Sequence, residues 1–277
     1  MRRAATILLG AVLFSGVSRG QSISLPAALG IAPSLSIVST DSGPLLNLAD
    51  SSIPEFASPA APRMSPELAL ATFQKRAAQQ SQEVAGFSAA TVIRADLPRS
   101  SQHGELQLER HYSVPRTLTF KTLHFVGDGF VKTNVIARLL QSEVDHVQKD
   151  DPALTAIRPE NYKFSHKHTT QMAGRVVHVY QVKPRAKRPG LFKGHIYLDA
   201  YTGNLLRAEG RVKSPSLFVK KIDFVQDFAE VNGYTIPTHM HSEAKAAIVG
   251  PTVVDVVNSD CQPVLLTVTS AGSAGSN

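Results

Sequence analysis

The sequence predicts a mainly β fold of the α+β kind. The expected form is a curved antiparallel sheet making an open, incomplete β-barrel, with one or two helices across its concave face. Three observations predict it. From Gly86 onward apolar residues recur at period two, in segments separated by turn residues. Helical periodicity is confined to two stretches, 66–82 and 133–149. Most connections between the strand-like segments are short enough for hairpins. Two-stranded ribbons are marginal alone, so a long run of them must curl on itself or pack on something. With so few helices, a curled sheet holding them in its concavity is the economical arrangement. It leaves an apolar space between sheet and helix, the usual setting for an apolar ligand.

Residues 1–20 read as a secretory signal. Arg2 and Arg3 precede the apolar core Ile7–Phe14, and small residues at Ser18 and Gly20 suit cleavage before Gln21. No cysteine follows this core, so a soluble periplasmic form without a lipid anchor is expected. Removing the signal's three arginines from the 29 basic residues leaves 26 against 22 acids, a net charge of +4. That is too mild, and too unclustered, for nucleic acid. No apolar run reaches the roughly 18 residues of a spanning helix. One cysteine, Cys261, excludes an intramolecular disulfide and a multi-thiolate zinc site. It reads as a small buried residue.

Residues 21–62 are rich in Ser, Ala and Pro without sustained period and read as a leader of low order. Within 63–85, Ser65-Pro66-Glu67 signals a helix start: N-cap serine, proline at the first position, acid in the first turn. The helix runs from Pro66 to Gln82, with Leu68, Leu70, Phe73, Ala77 and Ala78 on one side and Gly86 as its stop. The β domain is expected over 86–260. Its first strands are Thr91–Asp96, Glu105–Val114 and Thr117–Val126. The helix Thr133–Lys149 interrupts them, with Ile136, Leu139, Leu140, Val144 and Val147 at helical spacing. Tyr162–Thr169 and Arg175–Lys183 follow, then a hairpin of Gly194–Asp199 and Asn204–Val212. Ser216–Phe228 and Tyr234–Ala244 flank Asn232-Gly233, the strongest hairpin turn in the chain. Thr252–Val257 is the last clear strand, and 261–277 reads as a tail.

The run Gly194-His195-Ile196-Tyr197-Leu198-Asp199, then Tyr201-Thr202-Gly203, then Leu206-Arg207-Ala208-Glu209-Gly210, forms a pattern of greasy strand, Asp, turn, Gly and Leu-Arg. Phe218–Phe224, the turn Asn232–Thr238 and Val177–Pro184 extend it. This resembles the LolA/LolB-like superfamily of periplasmic lipoprotein-localisation proteins, with the likeness concentrated in 162–260. The resemblance implies an open half-barrel with helices across its mouth. It implies a non-enzymatic protein without a cofactor, sheltering acyl chains or sensing envelope states. No functional residue of the superfamily matches one by one, so none is carried over.

The apolar strand positions Phe164, Val177, Val179, Ile196, Leu198, Leu206, Phe218, Ile222 and Phe224, with Leu139 and Val144 on the helix, are the candidate cavity wall. In this reading ligand enters between sheet and helix 133–149, and the helix moves aside. An acyl chain or lipoprotein is the expected partner. The alternative is an envelope protein-interaction or sensor module using the leader or a sheet edge. A third reading is a metal-dependent hydrolase. His166-Lys167-His168 and His239-Met240-His241 each place two imidazoles two residues apart, on one face of a regular strand. Their rival role is as ordinary solvent-facing polar residues. Asp223 and Asp227 span about 13 Å by strand rise, too wide for paired-carboxylate catalysis. The basic loop with Arg185, Lys187, Arg188 and Lys193 suits either transient contact with an anionic membrane surface or a solvated, lysine-protected tip.

Overall fold

The computed structural model describes residues 62–113, 117–149, 151–212, 219–246 and 250–266. The signal sequence, the leader through residue 61 and Phe218 lie outside the described residues.

Ten strands form one antiparallel sheet: β1 (Val84–Leu97), β2 (Gln102–Ser113), β3 (Thr117–Gly127), β4 (Tyr162–Met172), β5 (Arg175–Pro184), β6 (Phe192–Asp199), β7 (Leu205–Val212), β8 (Val219–Val231), β9 (Tyr234–Ala246) and β10 (Gly250–Leu265). The order is β3-β2-β1-β10-β9-β8-β7-β6-β5-β4, so β3 and β4 are the edges among the described residues and the sheet is open rather than closed into a barrel. Helix α1 (Pro66–Glu83) precedes it. A second helical run joins β3 to β4: α2 (Gly129–Val131), a π-helical turn (Lys132–Ile136) and α3 (Ala137–Lys149).

One apolar cluster links Leu106 and Leu108 of β2 with Tyr180 and Val182 of β5, through Ile93, Val254, Met240, Phe224, Ile222 and Ile196. In a flat sheet β2 and β5 would lie about 34 Å apart, seven strand spacings of roughly 4.8 Å. Curling lets this inner face share its core with Phe73 of α1 and Val131, Val135, Ile136 and Leu139 of the second run. A smaller cluster of Phe87, Ala89, Tyr112, Leu118, Ile236 and Cys261 lies under Val144 and Val147.

Two boundaries differ from expectation. Helix α1 runs without a loop into β1, which starts at Val84. Gly86 is a strand residue, not the helix stop: a Cβ there would lie 2.0 Å from the Tyr112 carbonyl oxygen. At the other end β10 continues to Leu265, so residues 261–265 belong to the sheet rather than to a tail. Register breaks opposite Val84/Gly86 and Ser88/Ala90 destroy strict alternation there, which hides the strand from a period-two reading. Cys261 is buried as expected, and burial raises its thiol pKa.

Candidate functional site

A cavity of about 370 Å³ lies beneath α1. This falls within the range of small-molecule pockets. One wall is α1 itself, from Phe73 to Gln82. The facing wall is Ala156–Glu160, the segment that follows the second helical run. Val84, Tyr112 and Leu205 supply apolar surface from the sheet, with Phe73, Ala77, Ala156 and Ile157 beside them. Gln74, Arg76, Gln80, Ser81, Arg158, Glu160 and Asn204 add polar groups.

The cavity exists because α1 packs sparsely. Its fully buried side chains are Ala69 and Phe73, while Leu70 and Ala77 are partly covered and Leu68 is exposed. The helix is instead held by polar contacts along its length. At its start Ser65 accepts from the Leu68 amide at 3.2 Å. Just before it, the Met64 amide donates to the Ala200 carbonyl at 2.8 Å. Tyr180 donates its hydroxyl to the Pro66 carbonyl. His178 Nε2 lies 3.1 Å from the Met64 carbonyl, which only accepts, so Nε2 carries a proton; Nδ1 lies 2.8 Å from Thr169 Oγ1. Midway, Arg76 donates to Asn204, which in turn donates to Glu230. Towards its end Gln80 bonds both backbone groups of Thr235, at 2.9 and 3.0 Å, and Tyr234 donates to Glu83 at 3.0 Å.

The β6–β7 hairpin seats this helix. Buried Asp199 accepts from the amides of Tyr201 and Thr202 at 2.9 and 3.0 Å and so shapes the turn. Gly203 has φ +71°, and a Cβ there would touch Thr72 of α1 at 3.0 Å. The Asp-turn-Gly pattern singled out in the sequence is thus the bed on which α1 rests.

The facing wall is firmly tied. Asn161 donates to the carbonyls of Ala153 and Ala156 at 2.8 and 2.9 Å. Arg185 Nε donates to the carbonyls of Pro159 and Tyr162, and Arg188 to that of Leu154. Of the loop's basic groups Arg185, Lys187, Arg188 and Lys193, the two arginines are therefore structural.

No family model matches the chain, and no curated protein matches it. Similar solved structures exist. An outer membrane lipoprotein-sorting protein domain from Vibrio parahaemolyticus is 14% identical, with 72% of this chain and 93% of that one covered and a TM-score of 0.36. A LolA superfamily protein from Nitrosomonas europaea is 10% identical, covering 74% and 96%, with a TM-score of 0.35. MucB in its complex with MucA from Pseudomonas aeruginosa is 13% identical, covering 69% and 92%, with a TM-score of 0.22. The first two carry the family description that the hairpin sequence suggests. Nothing about function follows from likeness this distant, and the site speaks through its own residues.

None of the sequence-predicted wall residues among the described residues lines the cavity. Ile196, Leu198, Ile222, Phe224 and Leu139 are filled core, and Phe164 packs against them. Val144 is half-buried over the smaller cluster. Val177 and Val179 are buried but face the other way. Paired residues of adjacent strands share a face, and these two pair with Asp199 and Tyr197, whereas Tyr180 and Val182 hold the inner face. Leu206 is the extra residue of a bulge between Tyr197 and Leu198; its neighbour Leu205 points inward. Phe73, Ala77 and Ala78, on the apolar side of α1, line the cavity, but the other α1 residues around it are polar and carry no periodic signal.

The second run is pinned by an ion pair between Arg110 of β2 and Glu143 of α3, 2.9 Å apart with side chains 6% and 2% exposed. Phe120 covers the guanidinium.

The paired histidines are separated in one case and engaged in the other. A bulge at Lys167 pairs His166 with Tyr180 but His168 with Val179, placing them on opposite faces. His239 and His241 do share the outer face, where carboxylates engage them: His241 Nδ1 lies 2.8 Å from Asp255 Oδ1, and His239 lies 3.6 Å from Asp227 and 3.4 Å from Asp255. Among the described residues no group of three or more His, Cys, Asp or Glu is arranged to hold a metal. Asp223 and Asp227 are taken by Arg211 and Arg207 in two-pronged ion pairs. Among the described residues no helix is long and apolar enough to cross a membrane.

Proposed function

We propose that the protein is an exported, periplasmic, non-enzymatic binder of an apolar ligand, an acyl chain or the lipid part of a lipoprotein, held between α1 and the sheet. The carrying observation is a cavity with an apolar floor beneath a helix whose attachment is mainly polar. Lifting α1 exposes little apolar surface and breaks hydrogen bonds that water replaces, each with a net contribution of about 1 kcal/mol. Each ligand methylene buried returns about 0.8 kcal/mol. A short stretch of acyl chain therefore offsets the loosened contacts of α1. Export rests on the signal-like sequence of residues 1–20.

The test is native mass spectrometry of protein purified from its own periplasm, with uptake of a fluorescent acyl probe measured alongside. Wild type is expected to carry or take up one apolar molecule. Ala77→Phe, which fills the cavity, is expected to take up none while keeping its melting temperature. Equal uptake by the variant, or no uptake by wild type, counts against the reading.

A second reading, an envelope protein-interaction module, draws on the edge strand β3, where Leu123 and Val126 are exposed. Edge β4 carries Lys163 and Lys167 and a bulge, ordinary protections against strand addition; β3 has a bulge too, at Leu123, but a single lysine, Lys121. Leu123→Lys would abolish capture of a protein partner and leave probe uptake unchanged if this reading holds.

A further inference from the structure

The polar end of the cavity has a chemistry of its own. Among its lining residues are two guanidinium groups, Arg76 and Arg158, against one carboxylate, Glu160. Arg76 is engaged by Asn204, with Glu230 at 3.9 Å. Arg158 is different. Its Nε is shut off from solvent and has no hydrogen-bond partner. The nearest carboxylate oxygen, Glu160 Oε2, lies 3.5 Å away, an ion-pair distance without a hydrogen bond. The Glu160 side chain is 67% exposed and free to turn to solvent; that of Arg158 is 38% exposed, and its backbone carbonyl is held by the amides of Asn161 and Tyr162 at 3.0 Å each. An N–H donor left unpaired at the edge of an apolar cavity is costly, and a ligand oxygen would satisfy it. Guanidinium favours planar oxyanions and is only weakly hydrated, so it surrenders water readily to such a group.

We infer that the cavity takes an amphiphile with one apolar chain and an oxyanion head, a carboxylate or a phosphate monoester, whose head bonds Arg158 while its chain lies on Phe73, Ala77 and Leu205. This rests on the proposed reading of the cavity as a lipid site and specifies its ligand class. Neutral chains fill the same floor but leave the Arg158 donor unpaired. Chains with a cationic head meet two guanidinium groups and are rejected.

The experiment is calorimetric titration of the purified protein below the micelle concentration with three probes of equal chain length: dodecanoate, dodecyl phosphate and dodecyl maltoside. At least one of the two anions is expected to bind about tenfold or more tighter than the maltoside, the scale of one charge-assisted hydrogen bond. Whichever anion is preferred names carboxylate or phosphate as the natural head. Arg158→Gln is expected to bring both anions down to the level of the maltoside without altering the maltoside itself. Because Arg158 also sits in the cavity wall, Glu160→Gln serves as the second variant. Its side chain is exposed, its loss leaves the wall intact, and it is expected to tighten the anions several-fold with the maltoside unchanged. Equal binding of all three probes to wild type overturns the headgroup inference and leaves the cavity reading standing. So does an anion preference that survives in Arg158→Gln. Failure of every probe to bind overturns the cavity reading and this inference with it.

Discussion

Replacing Glu143 by Ala should be among the most damaging single changes in the protein. The pair it forms with Arg110 is nearly dry, with side chains 2% and 6% exposed and a single contact at 2.9 Å. Arg110 Nε and Nη2 have no hydrogen-bond partner, so the guanidinium is under-satisfied even with its carboxylate present. Removing Glu143 strands a buried cation, a loss of about 3–5 kcal/mol. For a chain of this size each kilocalorie moves the melting temperature by roughly 2–4 °C, so the expected drop is about 6–20 °C. The pair itself is a poor stabiliser, because desolvation opposes its attraction. The double variant Arg110→Met with Glu143→Leu keeps volume and removes both charges, and is expected to match wild type or exceed it by about 1–4 kcal/mol. Urea denaturation of Arg110→Met, Glu143→Leu and the double, read with their m-values, gives the cycle. A loss below about 1 kcal/mol in Glu143→Ala would mean that water reaches Arg110 and that α3 is not seated on β2. The contrast between α3 as fixed wall and α1 as movable wall would then collapse.

Local geometry sets three further outcomes. Gly203→Val combines a positive φ with a Cβ 3.0 Å from Thr72, and is expected to destabilise by about 1–3 kcal/mol and to raise hydrogen exchange in α1 before it does so elsewhere. Gln80→Ala removes both bonds to the Thr235 backbone, so probe uptake should be faster while the melting temperature falls by no more than a few degrees. His241 has its pKa raised, first by the hydrogen bond to Asp255, with burial opposing. Its contribution to stability is therefore complete below the unfolded value near 6.5 and is lost as pH rises through the higher folded value. Melting curves from pH 5 to 8 should show this slope, and Asp255→Asn should flatten it.

Strand alternation made most of the sheet readable: the hairpins around Ala173-Gly174, Tyr201-Thr202 and Asn232-Gly233 stand where turn residues interrupt period two. What alternation cannot reveal is an inserted residue. Lys167, Leu206 and the irregular stretch from Ser259 to Gln262 each switch the faces of the strand residues beyond them, and the misassigned residues His168, Leu206 and Cys261–Leu265 lie at those points. Strand β5 misleads in another way. His178 and Tyr180 take its inner face because they hold the start of α1, and that partner is more than a hundred residues away in sequence. The valines beside them are the more hydrophobic and the obvious choice, yet they face outward. The cavity had a sequence signal of a negative kind. Helix α1 offers Leu68, Leu70, Phe73 and Ala77 with glutamines and alanines between, too little apolar surface to fill the mouth of a curled sheet.

That deficit decides which helix opens. The second run buries Val131, Val135, Ile136 and Leu139 in the main core. At about 1.5–3 kcal/mol for each such side chain, lifting it would forgo roughly 6–12 kcal/mol before the Arg110–Glu143 pair is counted. Helix α1 buries one comparable side chain, Phe73, and its hydrogen bonds are of a kind that water can replace. On apolar burial alone, opening at α1 is therefore the lower path, and the cavity already lies on that side. The order of amide exchange should follow. Amides of 66–83 are expected to exchange through local opening well below the global unfolding free energy, and those of 137–149 only with global unfolding. A bound acyl chain should slow the first set and leave the second unmoved. Slowing of the second set alone would place the ligand under α3 instead.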